Sequence, residues 1–122
     1  MLSATLLLAA CEKKEYYVPN QTIVTDLARN MWTRNADGSC TALIDLPELD
    51  GYLQQRGGIL VYISEDQGGT YEQIPQVYQD RSYSFAAVQG QLRIDLESRA
   101  GLSVVSVPSI VTVKIILVDS DY

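Results

Sequence analysis

The stretch from Gln91 to Glu97 constrains this chain more than any other. Leu92, Ile94 and Leu96 alternate with Arg93, Asp95 and Glu97. Successive side chains of an extended strand point to opposite faces, so one face of this segment is apolar and the other is charged. A helix would scatter both sets around its axis. The segment reads as a strand with one face on a core and one in water, the usual pattern of an antiparallel sheet.

Other segments obey the same rule. Gln21 to Ala28 puts Ile23, Thr25 and Leu27 on one side, and Thr22, Val24, Asp26 and Ala28 on the other. Met31 to Arg34 opens a second strand. Asn35-Ala36-Asp37-Gly38 then turns the chain, because Asp-Gly accepts positive φ at little cost. Ser39 to Leu46 carries Cys40, Ala42, Ile44 and Leu46 on one face. Ile59 to Ser64 is almost continuously apolar and predicts a central strand buried on both faces or nearly so. Glu65-Asp66-Gln67-Gly68-Gly69 reads as an acidic hairpin tip. Tyr71 to Tyr78 is the return strand, and Pro75 lacks an N–H, so that strand lies at an edge or bulges.

Asp80-Arg81 is read as a turn, followed by a strand from Ser82 to Val88 with Tyr83, Phe85 and Ala87 on one face. Val104-Val105-Ser106-Val107 is a candidate short strand, and Ile110 to Val118 a second long apolar one. Pro47 to Arg56 is the single helical candidate. Pro at its first turn, Leu49 and Leu53 four apart, and Gly57-Gly58 behind it support a short helix. The prediction is an all-β fold: an antiparallel β-sandwich of about seven strands with one short helix.

The chain has 122 residues, a net charge of −6 and no histidine. The charge argues against nucleic acid, which needs a basic face. Without histidine there is no Ser/His/Asp or Cys/His catalysis and no His-ligated metal. Two cysteines are present, Cys11 and Cys40. The first has a use of its own, described next, so Cys40 is expected to be a buried thiol that packs as a small hydrophobe.

Residues 1–10 are mostly apolar or small, too few to span a bilayer, which takes roughly 20. They have the length of a signal-peptide core. Leu8-Ala9-Ala10-Cys11 resembles the lipobox of bacterial lipoproteins. The resemblance implies cleavage before Cys11 and a diacylglycerol on its sulfur. Met1-Leu2-Ser3 lacks the basic residue of a signal n-region, so a start upstream is expected. Residues 11–19 read as a lipidated tether with Glu12-Lys13-Lys14-Glu15 behind the cysteine, and residues 20–122 as the sandwich domain. Acyl chains bind membranes with about 0.8 kcal/mol per buried methylene, so the anchor supplies the membrane affinity. The expected location is the cell envelope, at the outer membrane, facing the periplasm or the surface.

The chain as a whole resembles small Bacteroidota lipoproteins with immunoglobulin-like sandwiches. Trp32, Leu46-Pro47-Glu48-Leu49, Gly58-Ile59-Leu60-Val61-Tyr62, Tyr71-Glu72-Gln73-Ile74-Pro75, Tyr83 and Val113-Lys114-Ile115-Ile116 carry the likeness. These are structural motifs. They imply a fold and a location, and no catalytic residue.

Three constellations bear on function. Asp95 and Glu97 point the same way on one strand, as paired carboxylates of a small hydrolase would. Arg93 shares that face, and a solvated strand face explains all three. Glu65 and Asp66 lack the spacing of a calcium loop. Eight tyrosines are the compositional oddity. Tyr71 and Tyr78 flank the Pro75 strand and are the first candidates for contact with a protein or glycan. The expectation is a lipid-anchored, non-catalytic interaction or structural module, with no cofactor, no metal and no nucleic-acid partner. A glycan-binding accessory module and a carboxylate-dependent hydrolase are the alternatives.

Overall fold

The computed structural model describes residues 20–78, 80–98 and 104–120, and for Tyr78 the backbone only. The described strands are antiparallel and form two sheets. They are β1 (Gln21–Ala28), β2 (Trp32–Arg34), β3 (Cys40–Asp45), β4 (Gly58–Ser64), β5 (Glu72–Ile74), β6 (Gln76–Tyr78), β7 (Arg81–Val88), β8 (Gln91–Ser98) and β9 (Ile110–Val118). The four-stranded sheet has the order β1-β9-β4-β5, and the five-stranded sheet the order β2-β3-β8-β7-β6.

The core lies between the inner faces. Leu27, Val61, Ile63, Ile74, Val111, Val113, Ile115 and Leu117 come from one sheet; Cys40, Ala42, Ile44, Tyr83, Leu92, Ile94 and Leu96 come from the other. The alternation of β8 is seen as predicted, with Leu92, Ile94 and Leu96 fully enclosed. Cys40 is buried and unpaired. β4 is less enclosed than expected: Val61 and Ile63 are buried, while Leu60 and Tyr62 on its other face are only half-buried. The outer face of this sheet has no layer packed over it within the described residues.

Nine strands are described against the roughly seven expected: the Tyr71 to Tyr78 segment is two strands, and the chain crosses directly between sheet edges at two places. β1 runs along one edge of the four-stranded sheet. A 3₁₀ turn at Arg29–Met31 then redirects the chain, and it continues as β2 at the edge of the other sheet. The Tyr71 to Tyr78 segment does the same at Pro75, where a residue without an N–H interrupts the ladder. β5 pairs with β4 and β6 with β7. Pro75 thus sits where two edge strands meet. Each crossing hands one side of the sandwich from sheet to sheet.

In the five-stranded sheet, β2-β3-β8-β7 follow the order in which strands A, B, E and D of an immunoglobulin constant domain share one sheet. In the other sheet the last described strand, β9, is interior, paired with β1 on one side and β4 on the other.

The helix α1 (Gly51–Arg56) is shorter than Pro47 to Arg56. Leu46 and Leu49 are tied to the β7–β8 turn: Leu46 N–H donates to Gly90 O at 2.9 Å and Gly90 N–H to Leu49 O at 2.8 Å. That tie holds Pro47 and Glu48 outside the helix. Asp50 then caps it, Oδ1 accepting from Leu53 N–H at 2.9 Å. Gly57 follows because a Cβ there would lie 2.5 Å from Val118 O and 2.7 Å from Leu53 Cδ2. Gly38, at φ 88°, fills the predicted Asp-Gly turn.

Candidate functional site

Two arginine-centred clusters and one outer sheet face stand out. The first cluster lies between the sheets. Glu65 stands in the β4–β5 hairpin loop, as read above, and its side chain points inward. Its carboxylate accepts from Arg81 Nε at 2.9 Å, from Arg81 Nη2, and from Tyr83 Oη at 2.6 Å. Arg81 is therefore the first residue of β7 and not a turn residue. The pair is mostly enclosed, with side chains 20% and 14% exposed for Arg81 and Glu65.

Burial pushes the Glu65 carboxyl up, but the hydrogen bonds from Arg81 and Tyr83 and the Arg81 charge outweigh it, and the net direction is down. Burial, then the Glu65 hydrogen bond and charge, pushes the Tyr83 phenol far above its usual range. The Glu65 hydrogen bond leads the causes that raise Arg81. Each charge is stabilised by its partner, so the cluster is a tie between β4 and β7 with no proton poised to move. Asp66 organises the loop itself: it accepts from Ser64 Oγ at 2.6 Å and from Thr70 N–H at 2.8 Å.

The second cluster flanks an open groove of about 530 Å³ beside β2. Residues 104–107 line it but form no strand, contrary to the expectation for Val104 to Val107. Guanidinium groups hold this segment. Arg29 Nε donates to Val107 O at 3.1 Å, and Arg34 Nη2 to Val105 O at 2.8 Å while its Nη1 donates to Gly38 O at 2.8 Å. One backbone bond, Val105 N–H to Gly38 O at 3.2 Å, assists. Trp32 and Cys40 also line the groove. The indole Nε1 of Trp32 is shut off from solvent and has no acceptor among the described residues. Nothing local in the sequence marks this groove. Arg29 and Arg34 look like ordinary surface cations until Val105 and Val107 are brought against them.

On the outer face of the four-stranded sheet, Val24, Lys114, Tyr62 and Gln73 stand in one cross-strand row. Lys114 Nζ lies 4.9 Å from the Tyr62 ring centre and 4.1 Å from that of Tyr71. These are cation–π distances. Val24 is 56% exposed, and Leu60 and Ile116, paired across the ladder, are half-buried beside it.

The predicted contact residues do not share a sheet. Tyr71 precedes β5 and stacks on Lys114, while the Tyr78 backbone belongs to β6 of the other sheet. Asp95 lies on the outer face of β8 as predicted. Its oxygens accept from Thr41 Oγ1 at 2.9 Å and Arg93 Nε at 3.0 Å. A smaller cleft of about 290 Å³ is lined in part by Glu48, Asp50, Tyr52 and Asp119. Among the described residues no group of acids or cysteines is arranged to hold a metal ion. Leu8, Ala9, Ala10 and Cys11 lie outside the described residues. No protein-family model, curated protein or solved structure matches this chain.

Proposed function

We propose that this protein is a non-catalytic contact module, tethered to the cell envelope by a lipid on Cys11. The observation that carries the contact reading is the outer face built by Val24, Leu60, Tyr62, Tyr71, Lys114 and Ile116. It is largely apolar, and two tyrosines brace the Lys114 cation. Such a surface suits a protein partner better than a small substrate, since aromatic residues supply large contact area with few torsions to freeze. One face of each tyrosine ring is taken by the Lys114 ammonium, which makes it a poorer sugar platform. The carboxylates best placed for chemistry are engaged in the fold: Glu65 on Arg81, Asp95 on Thr41 and Arg93, and Asp50 on α1. An immunoglobulin-like relationship remains part of this proposal at the level of architecture only.

The anchor rests on Leu8-Ala9-Ala10-Cys11 standing ten positions ahead of β1. In the host cell, Cys11→Ala is expected to move the protein from the membrane fraction to the soluble fraction. Mass spectrometry of the native protein is expected to find diacylglycerol on the Cys11 sulfur. Full membrane retention of the variant, or an unmodified Cys11, overturns the tether.

A further inference from the structure

We propose that the groove between β2 and Val104–Val107 is a binding site for an organic carboxylate with a short apolar body. Charge is the first reason. The chain carries a net −6, yet among the described residues both charged groups lining this groove are arginines, and no acid lines it. Their hydrogen bonds go to the carbonyls of Gly38, Val105 and Val107, which are neutral acceptors. Neither guanidinium forms an ion pair within the described residues. Each has five N–H donors; Arg29 uses one and Arg34 two. Two fixed forks with donors to spare are what a carboxylate binds best.

Shape is the second reason. At about 530 Å³ the groove falls in the usual size range of small-ligand sites. Its remaining described walls are Trp32, Cys40, three valines and Ser106, with Val104 60% exposed. A bare inorganic anion would use the arginines and leave those walls wet. A branched aliphatic group attached to the carboxylate uses both. The Arg29 and Arg34 side chains already fix the segment that forms one wall, so little ordering is left for binding to do.

Trp32 is the reporter. It is the sole tryptophan of the chain, and its indole N–H has no acceptor among the described residues. That N–H is closed off from water, so it is not the anchor. A ligand seated on the ring changes its environment whether or not an oxygen reaches it.

The test titrates the ¹⁵N-labelled full chain at fixed ionic strength and follows the single indole N–H signal. N-acetylleucine is expected to shift it saturably in the millimolar range. N-acetylleucinamide, which lacks the charge, and acetate, which lacks the body, are expected to bind at least about tenfold more weakly. Isovalerate separates the two sources of this chemistry: equal binding assigns free branched acids, and weaker binding assigns the carboxyl end of a peptide. Arg29→Gln, at an exposed position, is expected to keep the folded spectrum and lose about tenfold in affinity. The proposal is overturned if no acid moves the signal, if the amide or inorganic phosphate moves it as well as the acids do, or if Arg29→Gln binds unchanged. None of this rests on the lipid anchor, so the two readings fail separately.

Discussion

Arginine is used twice at one end of the sandwich, to opposite effect. Arg34, Cys40, Leu96 and Tyr83 form one cross-strand row of the five-stranded sheet. At one end of that row Arg34 grips backbone carbonyls. Just past the other end, Arg81 grips Glu65. The Arg81 tie is closed: its charge is neutralised, the phenol of Tyr83 completes the acceptor, and little of it meets solvent. The Arg34 tie is open. Its partners are neutral, its charge is uncancelled, and it borders a groove. The contrast teaches that an arginine paired with a carboxylate spends its specificity on the fold, whereas one paired with carbonyls keeps some for a ligand.

The largest effect is expected where the closed tie is broken from the acid side. Glu65→Ala leaves the Arg81 cation and the Tyr83 hydroxyl enclosed without their acceptor. A loss of about 3 kcal/mol in unfolding free energy is expected from denaturant titration. Arg29→Gln, cutting one bond of the open tie, is expected to cost less than about 0.5 kcal/mol by the same measurement. Equal costs would erase the distinction between the two ties.

That distinction was only partly legible in the sequence. The strand skeleton was legible because alternation is local: Leu92, Ile94 and Leu96 declare their face within seven residues, and β9 declares itself by its apolar run. Pro75 signalled an edge. It could not signal a change of sheet, which depends on where β4 and β7 lie. The crossing at Arg29–Met31 has no Gly or Pro to mark it. Glu65 stands in the β4–β5 hairpin loop as its turn composition indicates, but its inward side chain was not legible, because its partners Arg81 and Tyr83 are 16 and 18 positions away. Arg29 and Arg34 reach carbonyls 78 and 71 positions away, and a carbonyl is the same in every residue. The proposed lipid site is the reverse case: Leu8-Ala9-Ala10-Cys11 is legible only as sequence.

Acid separates the ties next. The Glu65 carboxyl is held below its ordinary value of 4.5. A depressed folded pKa gives stability that is complete above the unfolded value and is lost as the pH falls through the folded one. Unfolding free energy of the wild-type chain is therefore expected to fall as the pH drops below about 4.5, with part of that slope missing in Glu65→Gln. Asp37 and Asp66, also lowered by their hydrogen bonds, keep their share of the slope in both proteins. The open tie contains no carboxylate. Parallel acid limbs for wild type and Glu65→Gln would mean that the closed tie contributes no linkage.

The smallest effect tests whether the open tie depends on charge or on shape. Arg34 reaches Gly38 O and Val105 O with separate nitrogens of one rigid plane. Lysine keeps the charge but concentrates it at a single nitrogen on a flexible stem, so it cannot hold both carbonyls in the same geometry. Arg34→Lys is thus expected to lower global stability by no more than about 1 kcal/mol. Its effect should be local, because Val105 donates to the same Gly38 carbonyl at 3.2 Å. Hydrogen exchange at the Val105 amide is expected to rise about fivefold to tenfold, while amides of β8 and β9 keep their protection. If charge alone held the segment, Val105 would exchange at the wild-type rate in Arg34→Lys and faster only in Arg34→Gln. The groove wall would then be an electrostatic association, free to drift. A wall set by the guanidinium fork, by contrast, gives the groove a fixed width, and a fixed width is what lets it discriminate between acids of different body.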